Sequence, residues 1–305
     1  MKLISQTIWV MLFAGALHAQ CIPTYGYQAM EVRVDSLRIN YIEKGKGDAL
    51  IMIHGLGGNA SHWKKNIASL SAGYRCIAVD LPGYGNSQAA TNTEGSRQLD
   101  FYAEVIAGLL KKLTIQKAIV MGHSMGGQVS MLLSLKYPSL VSKLILVSPA
   151  GLESFSVAEG SMLKAYATTA FFEKQDSTAI EKSYRLNFFS MPEEARVLVK
   201  ERIALKQCSG FVSYCFQIAK GVQGMLGHPV EEELKNIYQP TLILFGTEDA
   251  LIPNRLLHPA LTVVAVAEAG KKIPNSTILM IAEAGHLLQI EKSDAVNDAV
   301  LQFLL

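Results

Sequence analysis

The chain has 305 residues, half of them hydrophobic and 18% charged, with a formal net charge of +2. That length suits one large domain, or one domain carrying an insertion. Lysine and arginine cluster no further than pairs such as Lys64–Lys65, Lys111–Lys112 and Lys271–Lys272, so the electrostatic footprint of a nucleic-acid binder is absent and nucleic acid is excluded as a partner. Residues 1–19 read as a secretory leader. Lys2 supplies the positive end, Ile8 to Leu17 is apolar and uncharged, and Ala19 is small at a cleavage site before Gln20. The apolar run is shorter than the roughly 20 residues of a membrane span. The expected localisation is therefore periplasmic or secreted. Cys21 stands where a lipoprotein would be acylated, but Gln20 occupies a position where such signals carry Gly or Ala, which argues against an outer-membrane lipoprotein.

Beyond the leader, Glu31–Val34 and Arg38–Ile42 alternate inward and outward as half-exposed antiparallel strands do, with Ser36 in the link. Residues 44–48 form a glycine turn. A buried strand, Ala49–Ile53, leads to a helix over Ser61–Leu70 and a second strand over Tyr74–Val79. Arg97–Leu113 is amphipathic. The apolar run Lys117–Met121 follows, then a helix from Met125 to Tyr137 that stops before Pro138, then a strand over Lys143–Val147. Continuous apolar runs separated by helices predict a mostly parallel sheet covered on both faces. From 153 to 239 no buried strand is visible. The stretch is helical in pattern and rich in Met, Phe and Tyr, including Met162, Tyr166, Phe172, Tyr184, Phe189, Tyr214, Phe216 and Met225. It reads as a helical cap inserted into a core of residues 20–152 and 240–305, its aromatic stripe mostly core with a minority lining an acyl pocket. The sheet pattern resumes at Thr241–Phe245 and Thr277–Ile281, and a helix from Ser293 to Leu305 closes the chain.

Four cysteines, Cys21, Cys76, Cys208 and Cys215, can pair in three ways in an oxidising compartment. Cys76 falls in a buried strand as a packed thiol. Cys208 and Cys215, if they share one helix, are two turns apart and too far for a disulfide. There is no C-x-x-C or His–Cys cluster, so zinc is not indicated, and no cofactor is implied.

The chemistry is carried by three strand ends. Gly122-His123-Ser124-Met125-Gly126 fits G-x-S-x-G between an apolar run and a helix, a setting that pushes a serine hydroxyl out at the carboxyl edge of a sheet. A serine hydroxyl needs a base, and the base needs an orienting carboxylate. Asp249 and His286 each lie just past a later strand, and the order Ser124, Asp249, His286 suits three residues meeting at one sheet edge. Glu248 is the neighbouring alternative acid. The loop His54–Gly58 also follows a strand, and the backbone N–H groups of Leu56 and Met125 are the candidate oxyanion donors. Asp80 reads as a loop anchor, His54 and His123 as loop-packing residues, His62 as a helix residue, and His228 and His258 as surface or cap residues.

In combination, His54–Gly58 with Trp63, Val79–Ser87 with its Asp-Leu-Pro-Gly-Tyr-Gly run, and Gly122–Gly127 make the chain resemble the α/β-hydrolase superfamily, over nearly its whole mature length. It is most similar to capped serine esterases and monoacylglycerol-lipase-like enzymes, also in Ser148–Gly151 at the entry to the cap. The resemblance implies an eight-stranded, mostly parallel sheet with helices on both faces. It implies Ser124 as nucleophile, Asp249 as acid, His286 as base, and oxyanion support from Leu56 and Met125. The expected partner is a small ester with an apolar acyl group, with a lipid surface as a further candidate. The expected reaction is carboxylic ester hydrolysis through an acyl-enzyme. Amide or carbon–carbon bond hydrolysis by the same triad, and a non-catalytic binding protein on this fold, are the alternatives.

Overall fold

The computed structural model describes residues 21, 23, 25–90 and 94–305. The leader expected over residues 1–19 lies outside them. Two strands open the fold, β1 (Ala29–Val34) and β2 (Leu37–Lys44), paired antiparallel across a turn where Asp35 takes φ 52°. Then β3 (Ala49–Ile53) leads through a 3-10 turn, Ala60–Trp63, into α1 (Lys64–Leu70) and β4 (Arg75–Val79). Next come α2 (Gln98–Lys112), β5 (Ala118–His123), α3 (Met125–Lys136) and β6 (Val141–Val147). Helices α4 (Val157–Tyr166), α5 (Thr169–Glu173), α6 (Ser177–Arg185), α7 (Arg196–Leu205) and α8 (Phe211–Gly227) lie between β6 and β7 (Thr241–Gly246). The chain ends with α9 (Val263–Ala269), β8 (Ser276–Ile281), α10 (Leu288–Glu291) and α11 (Ser293–Leu304).

Among the described residues the strands form an eight-stranded sheet in the order β1-β2-β4-β3-β5-β6-β7-β8. Only the pairings of β2 with β1 and β4 are antiparallel; β4, β3, β5, β6, β7 and β8 pair in parallel. This is the α/β-hydrolase architecture expected from the sequence.

Strand β3 is buried along its whole length because both sheet faces are covered. Alternation sends Ile51 and Ile53 to the side packed with Leu99, Ile106 and Val129, from α2 and α3. Leu50 and Met52 go to the other side, with Trp63 and Ile67 near α1 and Val296 and Val300 of α11. Parallel pairing puts the carboxyl ends of β3, β5, β7 and β8 on one edge, where the chain leaves each strand into a loop or turn. One packing detail controls that edge. A Cβ on Gly126 would lie 2.3 Å from the Ile53 carbonyl oxygen and 2.5 Å from that of His54, so glycine lets α3 close onto the end of β3.

Two expectations need correction, one helix is added, and the open cysteine pairing is decided. Helix α9 was not anticipated, and the helix expected from Ser61 begins as a 3-10 turn at Ala60. Cys208 does not share a helix with Cys215. It sits in the turn between α7 and α8 and is bonded to Cys21, at a Cα–Cα distance of 5.7 Å. Cys76 and Cys215 are buried thiols. The aromatic stripe of 153–239 is not mostly core: Met162, Tyr166, Phe189 and Phe216 are exposed, because the short helices there lie on the sheet domain with one side to solvent.

Candidate active site

Strand β5 delivers Ser124 onto the first residue before α3. The turn is tight enough to force Ser124 to φ 52° and ψ −120°, a region few residues other than glycine occupy without strain. The turn is held by backbone bonds. The Ser124 amide donates to the Val147 carbonyl at 3.0 Å, and its carbonyl accepts from Gly127 at 2.8 Å and Ala150 at 3.0 Å. Gly55 completes the fit. A Cβ there would lie 3.0 Å from the Ser124 Cβ and 2.7 Å from His123 Nδ1, so the loop after β3 passes directly against the serine.

Past β7, Asp249 is fully buried. Its Oδ1 accepts from the amides of Leu251 at 2.9 Å and Ile252 at 3.0 Å, and its Oδ2 accepts from His286 Nδ1 at 2.8 Å. Burial alone would raise the pKa of this carboxyl. The neighbouring His286 and the bonds from His286 and the two amides outweigh it and hold Asp249 below the usual carboxylate value. Glu248 is exposed and its carboxylate is bonded to the Thr247 hydroxyl, away from His286. His286 itself is 4% exposed. It is brought over by the loop after β8, which closes on β7 because Gly246 carries no side chain: a Cβ there would lie 2.1 Å from the Ala284 carbonyl oxygen. With Nδ1–H committed to Asp249, the other ring nitrogen of His286 carries the lone pair.

Ser124 and His286 both line a cavity of about 560 Å³, together with Gly55, Leu56 and Gly57. Met125 is the first residue of α3, so its amide has no acceptor a turn back within the helix. Residues Gly55–Gly58 form a turn closed by the Gly58 amide on the Gly55 carbonyl at 3.1 Å, with Gly57 at φ 70°. A positive φ at the third position is the requirement that makes glycine fit there. Of the histidines expected to pack loops, His54 is buried, donates from Nδ1 to the Gly55 carbonyl and accepts the Leu81 amide on Nε2; burial pushes its pKa down to about 3, so it is neutral. His123 donates from Nε2 to the His286 carbonyl at 3.0 Å. His62 is buried on the 3-10 turn, lines the cavity, and is pushed down to about 4 by burial. Asp80 anchors loops as expected, accepting from the amides of Ala60 and Asn86 and from Asn40 and Tyr25.

Elsewhere the cavity wall is formed by the 153–239 stretch, with Leu163, Phe172, Ile180, Tyr184, Ile218 and Met225 giving it an apolar surface. Arg202 of α7 was not anticipated from the sequence. It is 6% exposed, stacks over the Tyr214 ring at 4.3 Å, lines the cavity, and has an Nη1 without a hydrogen-bond partner. A single arginine on an amphipathic helix carries no spacing signal that would have marked it. Among the described residues no group of three or more His, Cys, Asp or Glu is arranged to hold a metal ion.

Comparison with known proteins bears on the fold. The chain is 30% identical to the dihydrolipoyllysine-residue acetyltransferase component of an acetoin cleaving system from Pseudomonas putida, over 85% of its own length. It spans 64% of that relative, less than two thirds of it. It is 29% identical to a 2-hydroxy-6-oxononadienedioate/2-hydroxy-6-oxononatrienedioate hydrolase from Burkholderia vietnamiensis, covering 88% of this chain and 91% of that one. A probable hydrolytic enzyme from Pseudomonas aeruginosa superposes with a TM-score of 0.80 at 25% identity, over 92% of this chain and 96% of the other. The family profile described as alpha/beta hydrolase fold matches residues 48–293. On these matches and this architecture, the chain belongs to the α/β-hydrolase fold family.

Proposed function

We propose that this protein is an exported serine hydrolase that cleaves carboxylic esters of apolar acyl groups through an acyl-enzyme on Ser124. The observation that carries the reading is the buried Asp249–His286 pair opening into the same apolar cavity as the strained Ser124 turn. His286 takes the Ser124 proton as Oγ attacks the ester carbonyl carbon. The negative charge that develops on the carbonyl oxygen is met by the amides of Leu56 and Met125. Collapse breaks the bond to the alkoxy oxygen, which leaves as the alcohol with the proton from His286. Water, deprotonated by His286, then attacks the acyl carbon, and the acid departs as Ser124 regains its proton. Asp249 keeps the imidazole in the right tautomer and stabilises its charged form throughout. Export is supported by the leader-like residues 1–19, and the Cys21–Cys208 pairing fits an oxidising compartment.

A second reading, carbon–carbon bond hydrolysis of a substrate bearing a carboxylate, is favoured by one observation. Arg202 places a buried guanidinium in the wall of an otherwise apolar cavity, and the Burkholderia relative is named for an oxo-dienoate substrate. One panel separates the two: p-nitrophenyl esters from acetate to palmitate, beside a 2-hydroxy-6-oxo-dienoate. Ester turnover that disappears in Ser124→Ala supports the first reading. Turnover of the dienoate with negligible ester cleavage replaces it with the second.

A further inference from the structure

The inserted stretch reaches into the serine site through one helix, α8. Its Tyr214 hydroxyl donates to the Gly57 carbonyl oxygen at 2.5 Å. Gly57 is the third residue of the Gly55–Gly58 turn whose second residue is Leu56. Two turns further along α8, Gly221 lies where a Cβ would be 2.5 Å from Leu56 Cδ1, 3.0 Å from Met125 Sδ and 3.1 Å from the Tyr84 hydroxyl. The helix therefore passes close against the side chains of both residues assigned as oxyanion donors, and a larger residue at 221 would push on them. Between these points the Tyr84 hydroxyl donates to the Gln217 carbonyl at 3.1 Å, tying the loop after β4 to α8.

A glycine-rich turn has few local reasons to hold one conformation. The Gly57–Gly58 peptide is held at both ends, its N–H on the Gly55 carbonyl at 3.1 Å and its C=O by Tyr214. Without Tyr214 only the Gly55 end remains, and a tilt of this peptide passes through that bond to the Gly55–Leu56 peptide that carries the Leu56 N–H. Tyr214 is itself held: the Arg202 guanidinium lies over its ring at 4.3 Å, and the Tyr84 ring meets it edge-on at 5.9 Å.

We propose that Tyr214 is a positioning residue of the oxyanion hole: its hydroxyl fixes the Gly57 carbonyl, and through the Gly55–Gly58 turn it keeps the Leu56 amide aimed at the developing oxyanion. The inference rests on the serine-hydrolase reading and adds a residue to it. Tyr214 touches no reacting atom. Its effect is on the transition state, where the oxyanion forms, and not on ground-state binding of the ester.

The test is Tyr214→Phe, which keeps the ring under Arg202 and edge-on to Tyr84 and removes only the hydroxyl. With p-nitrophenyl butyrate, kcat and kcat/KM both fall by roughly tenfold, the scale for one neutral hydrogen bond, while KM stays nearly unchanged. A hexyl trifluoromethyl ketone forms a tetrahedral adduct with an oxyanion, and its affinity falls by the same factor. Gly221→Ala crowds the Leu56 side chain from the same helix, displaces the turn that Tyr214 holds and shows the same paired loss, so the test does not depend on one variant folding. Thermal melts accompany both. Unchanged kinetics in Tyr214→Phe, a rise in KM alone, or a loss of kcat without loss of ketone affinity overturns the proposal. Wild-type enzyme that forms no ketone adduct on Ser124 overturns the serine-hydrolase reading and this inference together. Wild type that forms it, with a variant inhibited equally well, overturns this inference alone.

Discussion

Asp249→Asn is the substitution whose consequence can be worked out most fully. Asp249 is fully buried, and its two oxygens are committed to different partners. Oδ1 takes the Leu251 and Ile252 amides, and Oδ2 takes His286 Nδ1. In the asparagine variant the oxygen is retained by the two amide donors, which leaves the NH2 group facing His286. Two donors cannot share that contact, so the imidazole turns to the tautomer with its proton on the other nitrogen. That nitrogen can no longer accept the Ser124 proton. The expected loss in kcat is about 10⁴-fold, the scale of a triad whose histidine is in the wrong tautomer, equivalent to about 5.5 kcal/mol of transition-state stabilisation. Glu248→Gln, at the exposed neighbour, changes kcat by less than about twofold, because a surface charge away from the ring is screened. The assay is steady-state cleavage of p-nitrophenyl butyrate by both variants, with melting curves to confirm folding. If Asp249→Asn keeps more than about a tenth of wild-type kcat, well above the triad scale, or if Glu248→Gln is the more damaged, the assignment of the acid is wrong.

Three further outcomes follow from packing, charge and linkage. Gly126→Ala drives a Cβ into the Ile53 and His54 carbonyl oxygens, and denaturant melts should show a loss of about 1–3 kcal/mol; an unchanged midpoint would mean α3 can lift off β3 freely. His228 sits between Asp100 and Glu233, at 3.0 and 2.9 Å, and His258 between Glu153 and Glu159, at 2.5 and 3.3 Å. Burial lowers the pKa of His228, but its bonds to Asp100 and Glu233 outweigh this and raise it; the Glu153 bond is the main cause raising His258. Each contribution is therefore fully present below the ordinary value of 6.5 and is lost as pH rises through the higher folded value. The thermal midpoint should drop as pH rises above the ordinary histidine value of 6.5, and the double variant His228→Gln/His258→Gln should flatten that slope; an equal slope in the variant refutes the assignment. The Cys21–Cys208 bond joins residues 187 apart, and Cys208→Ser should cost about 2–5 kcal/mol in unfolding free energy. Equal stability of wild type with and without reductant would show that the pair is not bonded.

The parts of the site near strand ends were legible in the sequence, and those that depend on long-range approach were not. Ser124, Asp249 and His286 each follow an apolar β-rich run and are flanked by glycines needed for close turns, as Gly126 and Gly246 show. That local pattern is enough to place three distant residues on one sheet edge. The segment Val263–Ala269 forms α9 although its Val-Val-Ala-Val run is rich in β-branched residues; packing of Val263 and Val266 against the sheet overrides the local preference. The role of Tyr214 and the Cys21–Cys208 pairing left no mark because their partners lie far away in the chain, 157 residues for Tyr214 and Gly57 and 187 for the cysteines; Arg202 left none because a lone arginine on an amphipathic helix looks like any solvated one. The exposure of Tyr166 and Phe189 was hidden for a related reason: hydrophobic residues on short helices of an insertion need not face inward.

The central claim is an acyl-enzyme on Ser124, and rapid acid quench of the enzyme with p-nitrophenyl butyrate followed by peptide mass spectrometry tests it most directly. A butyryl adduct should appear on the peptide that contains Ser124 and accumulate within one turnover. It should be absent from Ser124→Ala, which should also lose activity. Undiminished p-nitrophenol release by Ser124→Ala, or an adduct on a different residue, would contradict it.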